Sequence, residues 1–157
     1  MGQDIESHRT RGLECAFSNA KVVGRLLGTI YDAHFKEIGL RASQIAVLWA
    51  IWASEPVAMA RLGETLVLDQ TSTSRSVSNL RRLGLLQVRA SKEDGRVREL
   101  VLTPKGKAKL LAAMPMWESA QREVAGLLDL DRLRELSRIA RKAHMRQATS
   151  EKGNVAN

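Results

Sequence analysis

Five hydroxyl side chains and one guanidinium fall within six consecutive residues, Thr71, Ser72, Thr73, Ser74, Arg75 and Ser76. Asn79 and Arg82 follow at helical spacing. Short hydroxyls donate to phosphate and bond to either base type, and an Arg near a helix start can bond bidentately to a guanine edge. After Asp69 no acid occurs as far as Leu86. Ser and Thr are mediocre helix formers, so this run is a poor choice for a helix that meets only water. A second group, Arg89, Lys92, Asp94, Arg96 and Arg98, surrounds an Asp94-Gly95 pair. The chemistry that both groups suit is noncovalent recognition of a polyanion.

Bond-making chemistry has little to work with. The sequence contains no Gly-rich phosphate loop and no nucleophile motif. His8, His34 and His144 are far apart, and Cys15 is the single cysteine. One cysteine excludes an internal disulfide framework, and with scattered histidines it argues against structural zinc. The chain is therefore read as a non-enzyme without cofactor or metal. Its formal charge of +8 calls for a polyanionic partner. Aromatic residues make up 4%, too few to build stacking platforms for single strands, so double-stranded DNA is the expected partner. No apolar run approaches a membrane span, and the N-terminus lacks a basic-then-apolar signal pattern. The expectation is a cytoplasmic protein with no membrane partner. At 157 residues it should form one domain with a sizeable core.

The recognition stretch needs a frame. Asp69 is a good N-cap, Thr73, Val77, Leu80 and Leu83 make an inward stripe, and Gly84 stops the helix. A short helix within 57–67 precedes it, with Met59, Leu62 and Leu66 inward. Two short helices in tight succession, the second polar outside, form a helix-turn-helix. Strands over 85–90 and 97–103 flank the Asp94-Gly95 turn as a β-hairpin, which would be a wing. Upstream, a long helix fits 11–38, and a nearly all-apolar helix follows from Gln44 to about Ala53, capped by Ser43. Downstream, Thr103 and Pro104 open a helix that reaches about Leu128 through Pro115. Asp129 or Asp131 opens a last helix with a narrow seam of Leu130, Leu133, Leu136 and Ile139. The terminal helices carry more apolar surface than a small winged core can cover, which predicts a homodimer. The predicted fold is mainly α with a small β-wing. A single domain over 11–148 contains a winged helix-turn-helix (43–103) and dimerisation helices (11–38 and 104–148), with flexible tails at 1–10 and 149–157.

Several pieces in order resemble the multiple-antibiotic-resistance regulator (MarR) family of winged-helix transcription factors. They are Tyr31-Asp32, Gly39-Leu40-Arg41-Ala42-Ser43-Gln44 and Leu62-Gly63-Glu64-Thr65-Leu66. The recognition stretch with Arg75 and Leu83-Gly84-Leu85-Leu86 follows, then Asp94-Gly95-Arg96 and Leu102-Thr103-Pro104-Lys105-Gly106. The resemblance spans about 13–148, and the wing Asp-x-Arg followed by Leu-Thr-x-x-Gly is its most specific part. It implies a dimeric regulator, usually a repressor, that binds a palindromic operator and responds to a ligand or an oxidant. Arg96 would enter the minor groove, where narrow A·T-rich DNA concentrates negative potential, and Asp94 would pair with Arg96. A small-molecule effector, phenolic or lipophilic, would sit between the first two helices and the wing domain, against Tyr31, His34, Phe35, Trp49, Trp52 and Met59. Some relatives sense peroxide through a first-helix cysteine, but the matching position here is Phe17. Cys15, beside Glu14, reads as a partly buried packing residue, and redox response through it is the alternative. A sequence-tolerant architectural DNA binder is a further alternative, disfavoured because the wing tip carries no apolar wedge.

Overall fold

Apolar periodicity and capping chemistry set where the helices begin and end. The computed structural model describes residue 11 and residues 14–154, with side chains as far as residue 147. The chain runs α1 (Ala16–His34), a 3-10 turn (Lys36–Ile38), α2 (Ala42–Trp52), β1 (Val57–Ala58), α3 (Met59–Leu66), α4 (Gln70–Arg82), β2 (Leu86–Ala90), β3 (Arg98–Leu102), α5 (Pro104–Ala125) and α6 (Leu130–Asn154). Among the described residues, six α-helices and a small antiparallel sheet make a winged helix. No helix among the described residues is long and apolar enough to cross a membrane.

α2 is the hub of the core. Ile45, Val47, Leu48 and Ile51 are buried on it. Around them close Phe35, Leu62, Val77, Leu80, Leu85, Leu86, Leu100 and Leu110. Burying each such side chain stabilises the fold by roughly 1.5–3 kcal/mol. A second cluster joins Ile30 of α1 to Ala120 and Val124 of α5, with Leu27, Tyr31, Leu128 and Leu130 at its edge.

The sheet has the order β1-β3-β2. β2 and β3 pair with Leu86 opposite Leu102, Val88 opposite Leu100 and Arg89 opposite Glu99. β1 departs from the sequence reading, which puts the stretch from Val57 in a helix. Val57 pairs instead with Leu100, and Ala58 with Glu99. Glu55 anchors that edge: its Oε2 accepts the Leu102 N–H at 2.9 Å, and its other oxygen pairs with Lys107. Burial pushes the Glu55 carboxyl up, but Lys107 and the Leu102 amide outweigh that and hold it below the ordinary carboxylate range.

The helix ends also refine the reading. α1 begins at Ala16, with Cys15 as an extended N-cap, and ends before the 3-10 turn that Gly39 closes at φ 68°. Ser43 does not cap α2. That helix starts at Ala42, two residues before the expected Gln44; there the Gln44 side chain accepts the Arg41 N–H (2.9 Å) and Asp32 Oδ1 accepts the Ala42 N–H (2.7 Å). α5 continues unbroken through Pro115. Of the two candidate caps for α6, Asp129 serves: its Oδ1 accepts the N–H groups of Asp131 and Arg132. α6 runs on to Asn154, so the tail expected from 149 is partly helical. The tail expected over 1–10, Leu13, and residues 155–157 lie outside the described residues.

Candidate nucleic-acid interface

The recognition helix is α4, and its ends are tied down by side chains. Asp69 Oδ1 accepts the Ser72 N–H (2.7 Å) and Oδ2 accepts the Ser72 hydroxyl (2.8 Å). The Ser72 amide and then its hydroxyl hold the Asp69 carboxyl below its ordinary pKa. At the other end Gly84 adopts φ 71°, a left-handed conformation that favours glycine. Lys105 Nζ donates to the Leu83 carbonyl (2.8 Å), and the Thr103 hydroxyl donates to the Gly84 carbonyl (2.7 Å). Thr103 Oγ1 also accepts the Gly106 N–H, capping α5. A methyl group at Gly106 would overlap the Leu85 carbonyl, so glycine lets α5 seat against the chain leaving α4. The Leu-Thr-x-x-Gly motif is thus the clamp that fixes α4 relative to α5.

Around α4 the hydroxyl-rich run divides between two faces. Thr73, Val77 and Leu80 are buried. Thr73 is 2% exposed, and its hydroxyl donates to the Asp69 carbonyl at 2.8 Å beneath Gly63. It is a packing residue, a correction to its place among the expected DNA contacts. Thr71, Ser74, Arg75, Ser78 and Arg82 are exposed along the opposite ridge. Ser78 is the member that sequence reasoning missed, although its spacing of three from Arg75 and four from Ser74 and Arg82 identifies it. Ser72 and Ser76 are half-buried flanks. Asn79 Oδ1 accepts from Arg82 Nη2 (2.9 Å), which steadies the guanidinium at the helix end.

In the wing, Asp94 organises the turn through the backbone. Its Oδ1 accepts the Arg96 N–H (2.9 Å) and its carbonyl accepts the Val97 N–H (2.9 Å). The expected pairing with Arg96 is therefore to the amide, and the Arg96 side chain projects exposed at the tip. Lys92 is exposed beside it. Arg89 instead pairs across the strands with Glu99 at 3.4 Å. Arg98 stands opposite Ala90, in the file of Leu100 and Leu102, and so belongs to the hairpin face turned toward α3.

The expected effector lining does not come together. Phe35 is 1% exposed inside the core. Trp49 packs against Trp117 of α5, with ring centroids 5.5 Å apart and planes tilted by 51°. Trp52 is exposed. Tyr31 lines one shallow cleft with Arg134 and Arg141, whereas His34 lines another and bonds Glu123 Oε2 at 2.9 Å. Met59 lines a third, larger cleft beside α4. The helix phases place these residues on different walls, which composition could not reveal. Cys15 also departs from expectation. It is exposed, and its thiol pKa is lowered by the Ser18 amide and hydroxyl and by the Phe17 amide.

A clamped helix presenting hydroxyls and Arg, followed by a hairpin with an Arg at its tip, defines a winged-helix DNA-binding protein. A family model described as a winged helix DNA-binding domain matches residues 40–106. The M. tuberculosis transcriptional regulator MosR, solved in complex with DNA, is 32% identical at TM-score 0.73, over 82% of this chain and 95% of that one. A cysteine-to-serine mutant of E. coli MarR, complexed with operator DNA, shares the fold at TM-score 0.69 and 18% identity, over 80% of this chain and 91% of that one. An uncharacterized HTH-type transcriptional regulator of Bacillus subtilis, YybA, is 26% identical over 86 residues, 55% of this chain. That match spans only 57% of the relative's length. The chain belongs to the MarR family of winged-helix DNA-binding transcriptional regulators.

Proposed function

We propose that the protein is a homodimeric, sequence-specific repressor that binds a palindromic double-stranded operator in the cytoplasm and leaves it when a small-molecule effector binds. The observation that carries this reading is the exposed ridge of α4, Thr71, Ser74, Arg75, Ser78 and Arg82, directly opposite a buried ridge. Arg75 would read a guanine edge in the major groove and Arg96 would enter the minor groove. The apolar faces left open on the terminal helices support the dimer. Phe17 and Val22 of α1 are 71% and 68% exposed, and Leu136 and Ile139 of α6 are 63% and 51% exposed. One regulatory unit over 11–148 would then dimerise through both its ends. Selection of bound duplexes from a random library tests this. An inverted repeat with half-site centres about 10 bp or a multiple apart is expected. Enrichment of no motif would contradict it and favour an architectural binder.

The exposed thiol at Cys15, its pKa lowered by the Ser18 amide and hydroxyl, supports a second reading, an oxidant response through that sulfur. If it holds, peroxide should release the operator from the native protein but not from Cys15→Ser. Equal release from both would remove this reading.

A further inference from the structure

Among the described residues, three helix ends close with a residue in the left-handed region. Gly39 closes the 3-10 turn at φ 68°, and Gly84 follows α4 at φ 71°. α3 closes instead on Val67, at φ 55° and ψ 47°. Val67 is the one non-glycine with a positive φ among the described residues. Its hydrogen bonds are those of a Schellman end. The Leu68 N–H donates to the Gly63 carbonyl at 2.9 Å, and the Val67 N–H donates to the Glu64 carbonyl at 3.4 Å. Glycine is the usual residue at that position, because a Cβ there crowds the backbone and a β-branched side chain crowds it most.

Burial does not offset this strain. Val67 is 42% exposed, against 4% for Val57 and 2% for Val77 in the core. Stability alone would therefore place glycine here, as it does at 39 and 84. Strain that persists against stability marks a side chain required for function. The position of Val67 says which function. Two residues on, Asp69 caps α4, and Thr71 begins the exposed ridge. In a helix-turn-helix, the N-terminal end of the recognition helix is the end that reaches base edges. The ridge offers mainly hydroxyls and guanidinium groups. A duplex also presents apolar surface, as thymine methyl groups and deoxyribose. We propose that Val67 is a DNA-contacting residue, whose exposed methyl groups meet apolar groups of the operator beside the first turn of α4.

The proposal rests on the reading of α4 as the operator-binding helix and adds an apolar contact to it. It also makes stability and binding respond in opposite directions. Val67→Gly removes both the strain and the methyl groups. Its thermal midpoint should rise by about 2–4 °C. Its operator affinity should fall roughly tenfold, as loss of about two buried methyl groups would give. Val67→Ala should lose affinity to a similar extent, with a smaller gain in midpoint. Val67→Ile, apolar and β-branched, should keep native affinity.

The test combines thermal unfolding of the full-chain variants with fluorescence anisotropy on three kinds of duplex. These are the selected operator, a shuffled duplex, and operators in which each thymine in turn is replaced by deoxyuridine, which lacks the methyl group. Affinity lost at one thymine position per half-site with native protein, but not with Val67→Gly, supports the proposal and puts the contact on a thymine methyl. An equal loss by Val67→Gly on operator and shuffled duplex, with no thymine effect, supports it and puts the contact on deoxyribose. Native affinity in both Val67→Gly and Val67→Ala would overturn the proposal and leave the regulator reading intact. A lower thermal midpoint in Val67→Gly would also overturn it, because packing would then account for the valine. A native protein that binds no duplex would instead remove the regulator reading, and this contact with it.

Discussion

Thr73 and Arg75 stand two residues apart in the same polar run, yet they meet different surroundings. Thr73 lies under Gly63 with its hydroxyl turned back to the Asp69 carbonyl, whereas Arg75 is exposed on the far ridge. Their substitutions should therefore fail in different assays. Arg75→Ala is expected to cost about 1–3 kcal/mol of operator binding and relax preference at one base pair per half-site, measured by competition with single-base operator variants. Thr73→Val should lower the thermal midpoint, because the Asp69 carbonyl loses its hydroxyl donor, while base preference stays unchanged. Arg96→Ala should weaken operator binding and remove an A·T preference flanking each half-site, checked with the same competition series. The exposed ridge of α4 was largely legible, because its hydroxyls and Arg fall off the apolar stripe of Val77 and Leu80. Burial of Thr73 was half visible, since it also belonged to the apolar stripe with Val77 and Leu80. The wing Asp was legible as a partner of Arg96, but which atom of Arg96 it takes depends on turn geometry.

At the scale of elements, ends matter more than middles. Thr103 caps α5 and ties the Gly84 carbonyl, so Thr103→Ala should destabilise the fold by about 1 kcal/mol or somewhat more in urea unfolding. Gly106→Ala should be worse, because backbone rather than a flexible side chain occupies the space. Asp69 gives a pH signature. Its folded pKa lies below the unfolded value because the Ser72 amide and hydroxyl favour the carboxylate. Its contribution is complete above the ordinary carboxylate range and is lost as pH falls through the lowered folded value. The urea midpoint of Asp69→Asn should therefore differ from that of the native protein at neutral pH and converge on it in acid. Caps with short polar side chains, Asp69 and Thr103, were readable in advance. The cap of α2 was not, because a glutamine reaching back and an aspartate ten residues upstream replace the expected Ser43. β1 escaped for a similar reason. Two residues carry no periodicity, and only the Val57–Leu100 pairing identifies them as a strand.

Across the whole molecule, charge and open apolar surface point in the same direction. The +8 chain presents its reading ridge on α4 and its basic wing tip as separate exposed features. Its terminal helices leave Phe17, Val22, Leu136 and Ile139 uncovered. Surplus apolar surface was visible from the helix patterns alone, whereas the cleft beside α4 was not, since its walls come from four separate segments. If a second copy covers the open faces, Leu136→Glu combined with Ile139→Glu should yield a monomer in sedimentation and cut operator affinity by far more than one lost contact. The central claim is that the exposed ridge of α4 reads a specific duplex. Fluorescence anisotropy across a salt titration tests it directly, with the selected operator and a shuffled duplex set against native protein and Arg75→Ala. Tight binding of the native protein to the operator alone is predicted, with a steep salt slope and a smaller operator preference in Arg75→Ala. Equal affinity for both duplexes, unchanged by the substitution, would contradict it.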